Sequence, residues 1–346
     1  MTLAEKLEAL DGVELLNDTF FNEFTIKLSK PADTVVEKLA GKGILGGVPA
    51  SRMMPGTGLD NCLILAATET ATAEDIDHLV SMKHNPRINE KVVRLGGLGD
   101  LHPMQPESTV QGALRLIDDL ADWLMKLTGM PAVAMSPAAG AHGELCGLMA
   151  IRSKLDSDGQ QHRMRMLVPE SAHGTNPASA AACGFTVDPI PANKRGRVDL
   201  EAFRAKLGDD VAGMMLTNPN TCGLFENDII ELAAMIHEAG GYFYCDGANF
   251  NAIVGRVRPG DLGVDCMHIN LHKTFSTPHG GGGPGSGPTV LSDALSAFAP
   301  LPYVVKDGDR FRLVEHPGDA DEKPFGRMKG FHGQMGMFVR AIAYML

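Results

Sequence analysis

Residues 211–247, VAGMMLTNPNTCGLFENDIIELAAMIHEAGGYFYCDG, decide the fold. An uninterrupted apolar run over 211–216 leads into a loop of turn-forming residues. A helical apolar pattern over 226–238 follows, closed by Gly240-Gly241, and a second apolar run covers 242–245. A strand buried on both faces reads as such a continuous run, and two of them joined through a helix make the repeating unit of a parallel sheet. The second run delivers Asp246 at its carboxyl end. In open sheets of this kind ligands bind outside the carboxyl ends of the strands, so the loops there carry the functional weight.

The alternation extends in both directions. Residues 164–168 predict a strand, 176–183 a short Ala-rich helix and 185–189 another strand. Asp199 is placed to cap a helix over 200–206, with Gly208 as its stop. A further strand over 264–271 would carry His272 and Lys273 at its end. Upstream, Val110, Leu114, Ile117, Leu120, Leu124 and Leu127 recur every three or four residues and predict a long core-facing helix over 108–127. The expectation is an α/β large domain over 83–330.

The first 82 residues read as a separate small α+β unit. It has a strand over 24–28, a helix over 32–39, a strand over 62–66 and a helix over 73–82 capped by Thr72. The polar stretch Lys83-His84-Asn85-Pro86-Arg87 marks the boundary. At the other end, 337–346 is an apolar helical pattern without a closing cap, so 331–346 reads as the start of an element cut short.

The 346 residues are 44% hydrophobic and 21% charged, enough to bury a large core. Lys plus Arg number 31 against 42 Asp plus Glu, and a net charge of −11 repels phosphate backbones and anionic lipid, which argues against nucleic-acid and membrane partners. Glu5, Lys6 and Glu8 interrupt the opening residues, and no later apolar run approaches the length of a membrane span. A cytoplasmic protein is expected. The six cysteines lie far apart without C-x-x-C spacing and read as core thiols of a reducing compartment.

Five segments at predicted strand ends carry the candidate chemistry: 136–144, 171–177, 217–221, 246–249 and 270–276. Lys273 precedes a Gly-rich run, 280–283, and in a partly desolvated pocket its amine is placed to form a Schiff base; a lone lysine at a strand end is otherwise a surface group. Asp246 suits the partner of a protonated ring nitrogen, and it equally suits a turn cap. Ala139 and Gly140 stand ahead of a predicted helix, where backbone N–H groups hold a phosphate, or simply make a tight turn. His142 and His173 are candidates for ring stacking or acid–base work, or ordinary hydrogen-bonded residues. His268 and His272 have the spacing of a zinc pair on a helix, but the segment reads as a strand and lacks the accompanying Glu, so no metal is expected.

Five strings, in order, carry a resemblance: PAAGAHGE (137–144), VPESAHGTNPASAA (168–181), LTNPNTCGLFE (216–226), YCDGANFNAIVG (244–255) and HINLHKTFSTPHGGGGPGSGP (268–288). Together they resemble glycine decarboxylase, the pyridoxal-phosphate P-protein of the glycine cleavage system, in its two-subunit form. Residues 83–346 resemble subunit 2. Residues 1–82, with FFNEF (20–24) and GILGGVP (43–49), resemble the carboxyl-terminal part of subunit 1.

The resemblance implies a fold-type I pyridoxal 5'-phosphate enzyme with Lys273 as the catalytic, cofactor-bonding lysine and Asp246 at the pyridine nitrogen. It further implies Ala139 and Gly140 at the phosphate, His142 against the ring as a second catalytic residue, and Asn218, Thr175 and His272 nearby. Glycine is the implied substrate. The implied reaction is decarboxylation with transfer of the aminomethyl group to the lipoyl group of the carrier H-protein. Subunit 1 is the implied partner, in an oligomer. Two alternatives remain open: a non-catalytic or remnant chain of that complex, and another pyridoxal-phosphate amino-acid decarboxylase or lyase.

Overall fold

In the stretch EFTIKL, apolar and polar residues alternate, and the strand they form buries one face. It is β2 (Glu23–Leu28) of an antiparallel sheet ordered β1-β2-β4-β3, with β1 (Val13–Leu15), β3 (Val48–Pro49) and β4 (Cys62–Ala66). Phe24 stands opposite Leu65 and Ile26 opposite Leu63. These four pack with Ala4 and Leu7 of the helix Leu3–Glu8 and with Ala32 of the helix Ala32–Ala40. The structure, a computed structural model, describes residues 3–8, 10–17, 23–40, 47–66, 87–98, 101–277, 285–318, 321–330, 332 and 334–346. The chain divides into two units, Met1–His84 and Asn85–Leu346, of which this sheet is the first. The helix expected over 73–82, its Thr72 cap, the boundary residues 83–86 and the run 280–283 lie outside the described residues.

The second unit is built on a seven-stranded sheet ordered β5-β11-β10-β9-β8-β6-β7. Its strands are β5 (Ala132–Ala134), β6 (Arg165–Pro169), β7 (Thr186–Ile190), β8 (Val211–Thr217), β9 (Tyr242–Gly247), β10 (Cys266–Ile269) and β11 (Thr289–Leu291). The five from β10 to β7 run parallel, and β11 is antiparallel to both of its neighbours. A two-stranded hairpin, β12 (Tyr303–Asp307) and β13 (Arg310–Val314), lies outside the sheet.

Strand parity sorts the core into two layers. Met214 and Leu216, Phe243 and Cys245, and Met267 and Ile269 pack in one cluster with Leu114, Ile117, Leu120 and Leu124 of the helix Gln111–Thr128 and with the helix Ile229–Glu238. Met215, Tyr244 and Cys266 pack on the opposite face with Leu148, Ile151 and Leu155 of the helix Gly140–Ser157. Each fully buried Leu or Ile contributes about 1.5–3 kcal/mol, which makes both layers firm supports. By the same parity Thr217, Asp246 and His268 point to the second face, toward the helices Gly140–Ser157 and Thr175–Ala182.

Several expected elements differ in their ends, each for a local reason. The helix expected from 226 begins at Ile229, because the Glu226 carboxylate turns to accept from Val198 N–H while Glu226 N–H donates to Asn218 Oδ1, both at 2.9 Å. The strand expected over 264–271 ends at Ile269. Asn270, at the N-cap position, starts a short helix, Leu271–Thr274, with its carbonyl accepting from Lys273 and Thr274 N–H, so Lys273 stands on a helical turn and not at a strand end. Asp199 caps its helix as expected, accepting from Glu201 and Ala202 N–H. The six cysteines are not uniformly core thiols: Cys62, Cys146, Cys245 and Cys266 are buried, Cys183 is half-buried and Cys222 is exposed on the loop after β8.

Candidate active site

Parallel register lines up Thr217 of β8, Asp246 of β9 and His268 of β10 side by side near the carboxyl ends of the three strands. Asp246 is 1% exposed. Its Oδ2 accepts from Asn176 Nδ2 at 3.0 Å, and its Oδ1 accepts from Ala248 N–H at 2.9 Å. Among the described residues no lysine or arginine pairs with it, and the nearest basic atom is His268 Nε2 at 3.5 Å. A buried carboxylate held by neutral donors and one imidazole is a receptor for a positive ring nitrogen.

A second buried acid lies on the same face. Glu144, one turn into the helix Gly140–Ser157, accepts from Thr175 Oγ1 at 2.6 Å and from Ser179 Oγ at 3.1 Å. Thr175 is therefore a support for Glu144, and its hydroxyl also lies 2.8 Å from His173 Nδ1. Asn218, at the end of β8 before a cis proline, accepts from Glu226 N–H, while its Nδ2 is buried without a partner. Thr217 Oγ1 and Asn176 Oδ1 are orphaned in the same way around Asp246.

Ala139, extended at φ −160°, begins the 18-residue helix Gly140–Ser157, whose first turn has no side-chain cap. Its N–H groups and dipole favour an anion there. Gly140 is glycine because of a close approach: a Cβ there would stand 2.3 Å from Asn270 Nδ2. His142 accepts from Ala138 N–H at its Nδ1, 3.1 Å away, and its Nε2 donates to Met328 O at 3.2 Å. Both ring nitrogens are engaged and the proton is on Nε2. Burial lowers the His142 pKa, the Met328 bond opposes this, and the Lys329 charge lowers it further, so the ring is held neutral with its faces left for stacking.

The structure does not put Lys273 in a desolvated pocket. Leu271, His272 and Thr274 turn inward from their short helix and Lys273 is left exposed. Among the described residues no hydrogen bond or ion pair joins its amine to the Asp246 cluster. Ser276, three residues on, is the one non-glycine residue among those described with a left-handed backbone, φ +53°, a conformation costing on the order of 1–3 kcal/mol that clusters at ligand sites. A cavity of about 310 Å³ opens elsewhere, against Ala132 and Val133 of β5 and lined by Asp118, Tyr303 and Glu322. It shares no residue with this site.

Glu144, Asn176 and Asn270 lie within the candidate segments but carried no assigned role, and Tyr244 lies outside them; all four border Asp246 or its neighbours. Parity along β9 was the available signal for Tyr244, two residues before Asp246. Nothing local marks the roles of Glu144 and Asn176, which meet Thr175 and Asp246 because two helices cover one face of the sheet.

The aminotransferase class-V family matches residues 147–282. A probable glycine dehydrogenase (decarboxylating) subunit 2 of Caulobacter vibrioides is 67% identical over 267 residues, 77% of this chain and 51% of its own length. The matched stretch belongs to the glycine decarboxylase family. A family member from Caldanaerobacter subterraneus is 52% identical over the same length. The chain spans about half the length of these curated relatives. A crystal structure of glycine decarboxylase, the P-protein of the glycine cleavage system, in inhibitor-bound form superposes with a TM-score of 0.61 at 20% identity, over 91% of this chain and 75% of that one. A sphingosine-1-phosphate lyase of Burkholderia pseudomallei gives 0.55 at 16% identity, over 77% and 62%. Those two likenesses are of fold, and the fold is the expected α/β architecture of the family. Among the described residues no helix is long and apolar enough to cross a membrane.

Proposed function

We propose that this chain binds pyridoxal 5'-phosphate and, in a cytoplasmic oligomeric assembly with subunit 1, decarboxylates glycine and hands the aminomethyl group to the lipoyl group of the carrier H-protein. The observation that carries the reading is Asp246, a carboxylate buried at a parallel-strand end with only neutral partners and one histidine around it. The residues present fit the cofactor. A protonated pyridine nitrogen would answer the uncompensated buried acid, and the orphaned Thr217 Oγ1 and Asn218 Nδ2 are polar atoms that a ring substituent would satisfy.

Asp246 would hold the proton on the ring nitrogen. Ala139 and Gly140 would present backbone N–H groups to the phosphate, with the helix dipole behind them. His142, fixed edge-on at both nitrogens, would lie against the ring face. Lys273 would bond the cofactor covalently, its exposed amine being open to an incoming aldehyde. Asn218 and His272 would border the ring, and Thr175 would act through Glu144. When bound, the cofactor supplies an electron sink for the carbanion left by loss of CO₂. Residues 1–82 we read as the counterpart of the carboxyl-terminal part of subunit 1.

Borohydride reduction of the chain incubated with pyridoxal phosphate, followed by peptide mapping, tests the cofactor site. A reduced adduct on Lys273 is expected, and its absence at saturating cofactor overturns the assignment. Glycine-dependent CO₂ release after mixing with subunit 1 and the lipoyl carrier tests the reaction, and an adduct-bearing chain without that release would be a non-catalytic member of the complex.

A further inference from the structure

Behind Asp246 lie three polar side chains, Tyr244, His268 and Asn270, to which the proposed function gives no cofactor contact. The Tyr244 hydroxyl meets His268 Nδ1, with the two rings nearly parallel. His268 Nε2 lies 2.8 Å from Asn270 Oδ1 and 3.5 Å from Asp246 Oδ1. Asn270 Nδ2 lies 3.4 Å from His272 Nε2. None of these residues is more than 8% exposed, so water does not rearrange them freely.

Each contact holds one proton, which allows two directions. In one, Tyr244 donates to His268 Nδ1, His268 Nε2–H donates to Asn270 Oδ1 and Asn270 Nδ2 donates to His272 Nε2. In the other, with the Asn270 amide turned over, every donor reverses. The reversed chain strands the Tyr244 proton, because among the described residues His268 is the only hydrogen-bond partner of that hydroxyl. It also turns a His268 lone pair toward the Asp246 carboxylate. An unsatisfied buried donor and a lone pair facing a carboxylate both raise the free energy, so the forward direction prevails. Burial, reinforced by the charges of Asp246 and Glu144, pushes the Tyr244 phenol well up, and its proton stays on oxygen to be donated.

We propose that Tyr244 is a positioning residue whose hydroxyl holds the His268 proton on Nε2, facing Asp246 and Asn270, and through Asn270 holds the His272 proton on Nδ1. The inference rests on the reading of Asp246 and Lys273 as the two ends of one cofactor site. It joins those ends by side chains, since His272 immediately precedes Lys273. The Tyr244 chain gives Asp246 an N–H partner of fixed orientation and leaves His272 with a donor at its other nitrogen.

The tautomers are measurable without cofactor. In the full chain with ¹⁵N-labelled histidine, long-range proton–nitrogen correlations, assigned by the peaks lost in His268→Gln and His272→Gln, should show His268 protonated on Nε2 and His272 on Nδ1. Tyr244→Phe, which keeps the ring, should turn the His268 pattern into that of exchanging tautomers and weaken pyridoxal phosphate binding about fivefold, the size of one net hydrogen bond. Asn270→Ala should change the His272 pattern while His268 stays on Nε2, because Tyr244 still donates to its Nδ1 and Asp246 still faces its Nε2. A wild-type His268 protonated on Nδ1 overturns the proposal whether or not the variants fold. So does a folded Tyr244→Phe with both patterns unchanged. A wild-type chain with the expected tautomers and no cofactor adduct would instead refute the proposed function and leave the hydrogen-bond chain standing.

Discussion

Replacing Asp246 by asparagine keeps the shape of the side chain and removes the charge, which isolates what the carboxylate does for the bound ring. A hydrogen bond to a charged group is worth about 1.5–3 kcal/mol, and each 1.36 kcal/mol is tenfold in rate. On the proposed function, Asp246→Asn should therefore slow glycine decarboxylation at least about tenfold at full cofactor occupancy, and near-unchanged turnover would remove Asp246 from its proposed role. Gly140→Ala makes a steric claim at the same scale. A Cβ 2.3 Å from Asn270 Nδ2 must displace a hydrogen-bonded buried amide, and overpacking of this kind costs about 1–3 kcal/mol. Urea unfolding should show the loss, together with weaker binding of cofactor phosphate. Asp246, Lys273 and the 139–142 turn were legible as candidates because each has a recognisable residue type at a predicted strand end. The roles of Glu144 and Asn176, both inside candidate segments, were not legible, because they come from tertiary neighbours more than thirty residues away in the chain.

Two histidines on different elements give stability opposite dependences on pH. His237, near the end of the helix Ile229–Glu238, pairs with Asp265 at 2.7 Å, and the same carboxylate oxygen accepts from Phe243 N–H. The Asp265 hydrogen bond and charge raise the His237 pKa above its ordinary 6.5 against the opposing effect of burial. Its stabilisation is fully present below 6.5 and is lost as pH rises through the folded-state value. His332, wholly buried just before the helix Met335–Met345, goes the other way: burial, with the charges of Lys329 and His102, lowers it to about 4. The unfolded chain takes up that proton first, so stability is full above about 6.5 and falls toward pH 4, by about 3 kcal/mol for a shift of this size. Denaturant titrations across pH 4–8 should show the acid-side slope disappear in His332→Phe and the alkaline-side slope disappear in His237→Gln. A wild-type curve flat from 6.5 to 4 would contradict the buried neutral state of His332.

At the scale of the molecule, each unit has its own closed core. Phe24, Ile26, Leu63 and Leu65 serve the first, and two layers about the seven-stranded sheet serve the second. Expressed alone, residues 85–346 should retain a cooperative unfolding transition and bind pyridoxal phosphate as the whole chain does. Loss of the transition would show that the large sheet depends on residues 1–84. Strand and helix positions in the large unit were readable because buried parallel strands are long apolar runs and the helix Gln111–Thr128 has an unbroken stripe. Element ends were less so. Asn270 and Glu226 each make a side-chain or cap interaction that overrides the local apolar pattern.

By itself the sequence determined the α/β class, the strand ends that carry the candidate residues, and the family of its central stretch. Periodicity and residue type are local quantities that survive without knowledge of partners. Only the tertiary structure decided that Lys273 stands exposed on a helical turn, that Thr175 serves Glu144, and that Tyr244, His268 and Asn270 line up behind Asp246. Those facts depend on which strands are neighbours and in what register, and register is set by the packing of both faces of the sheet at once.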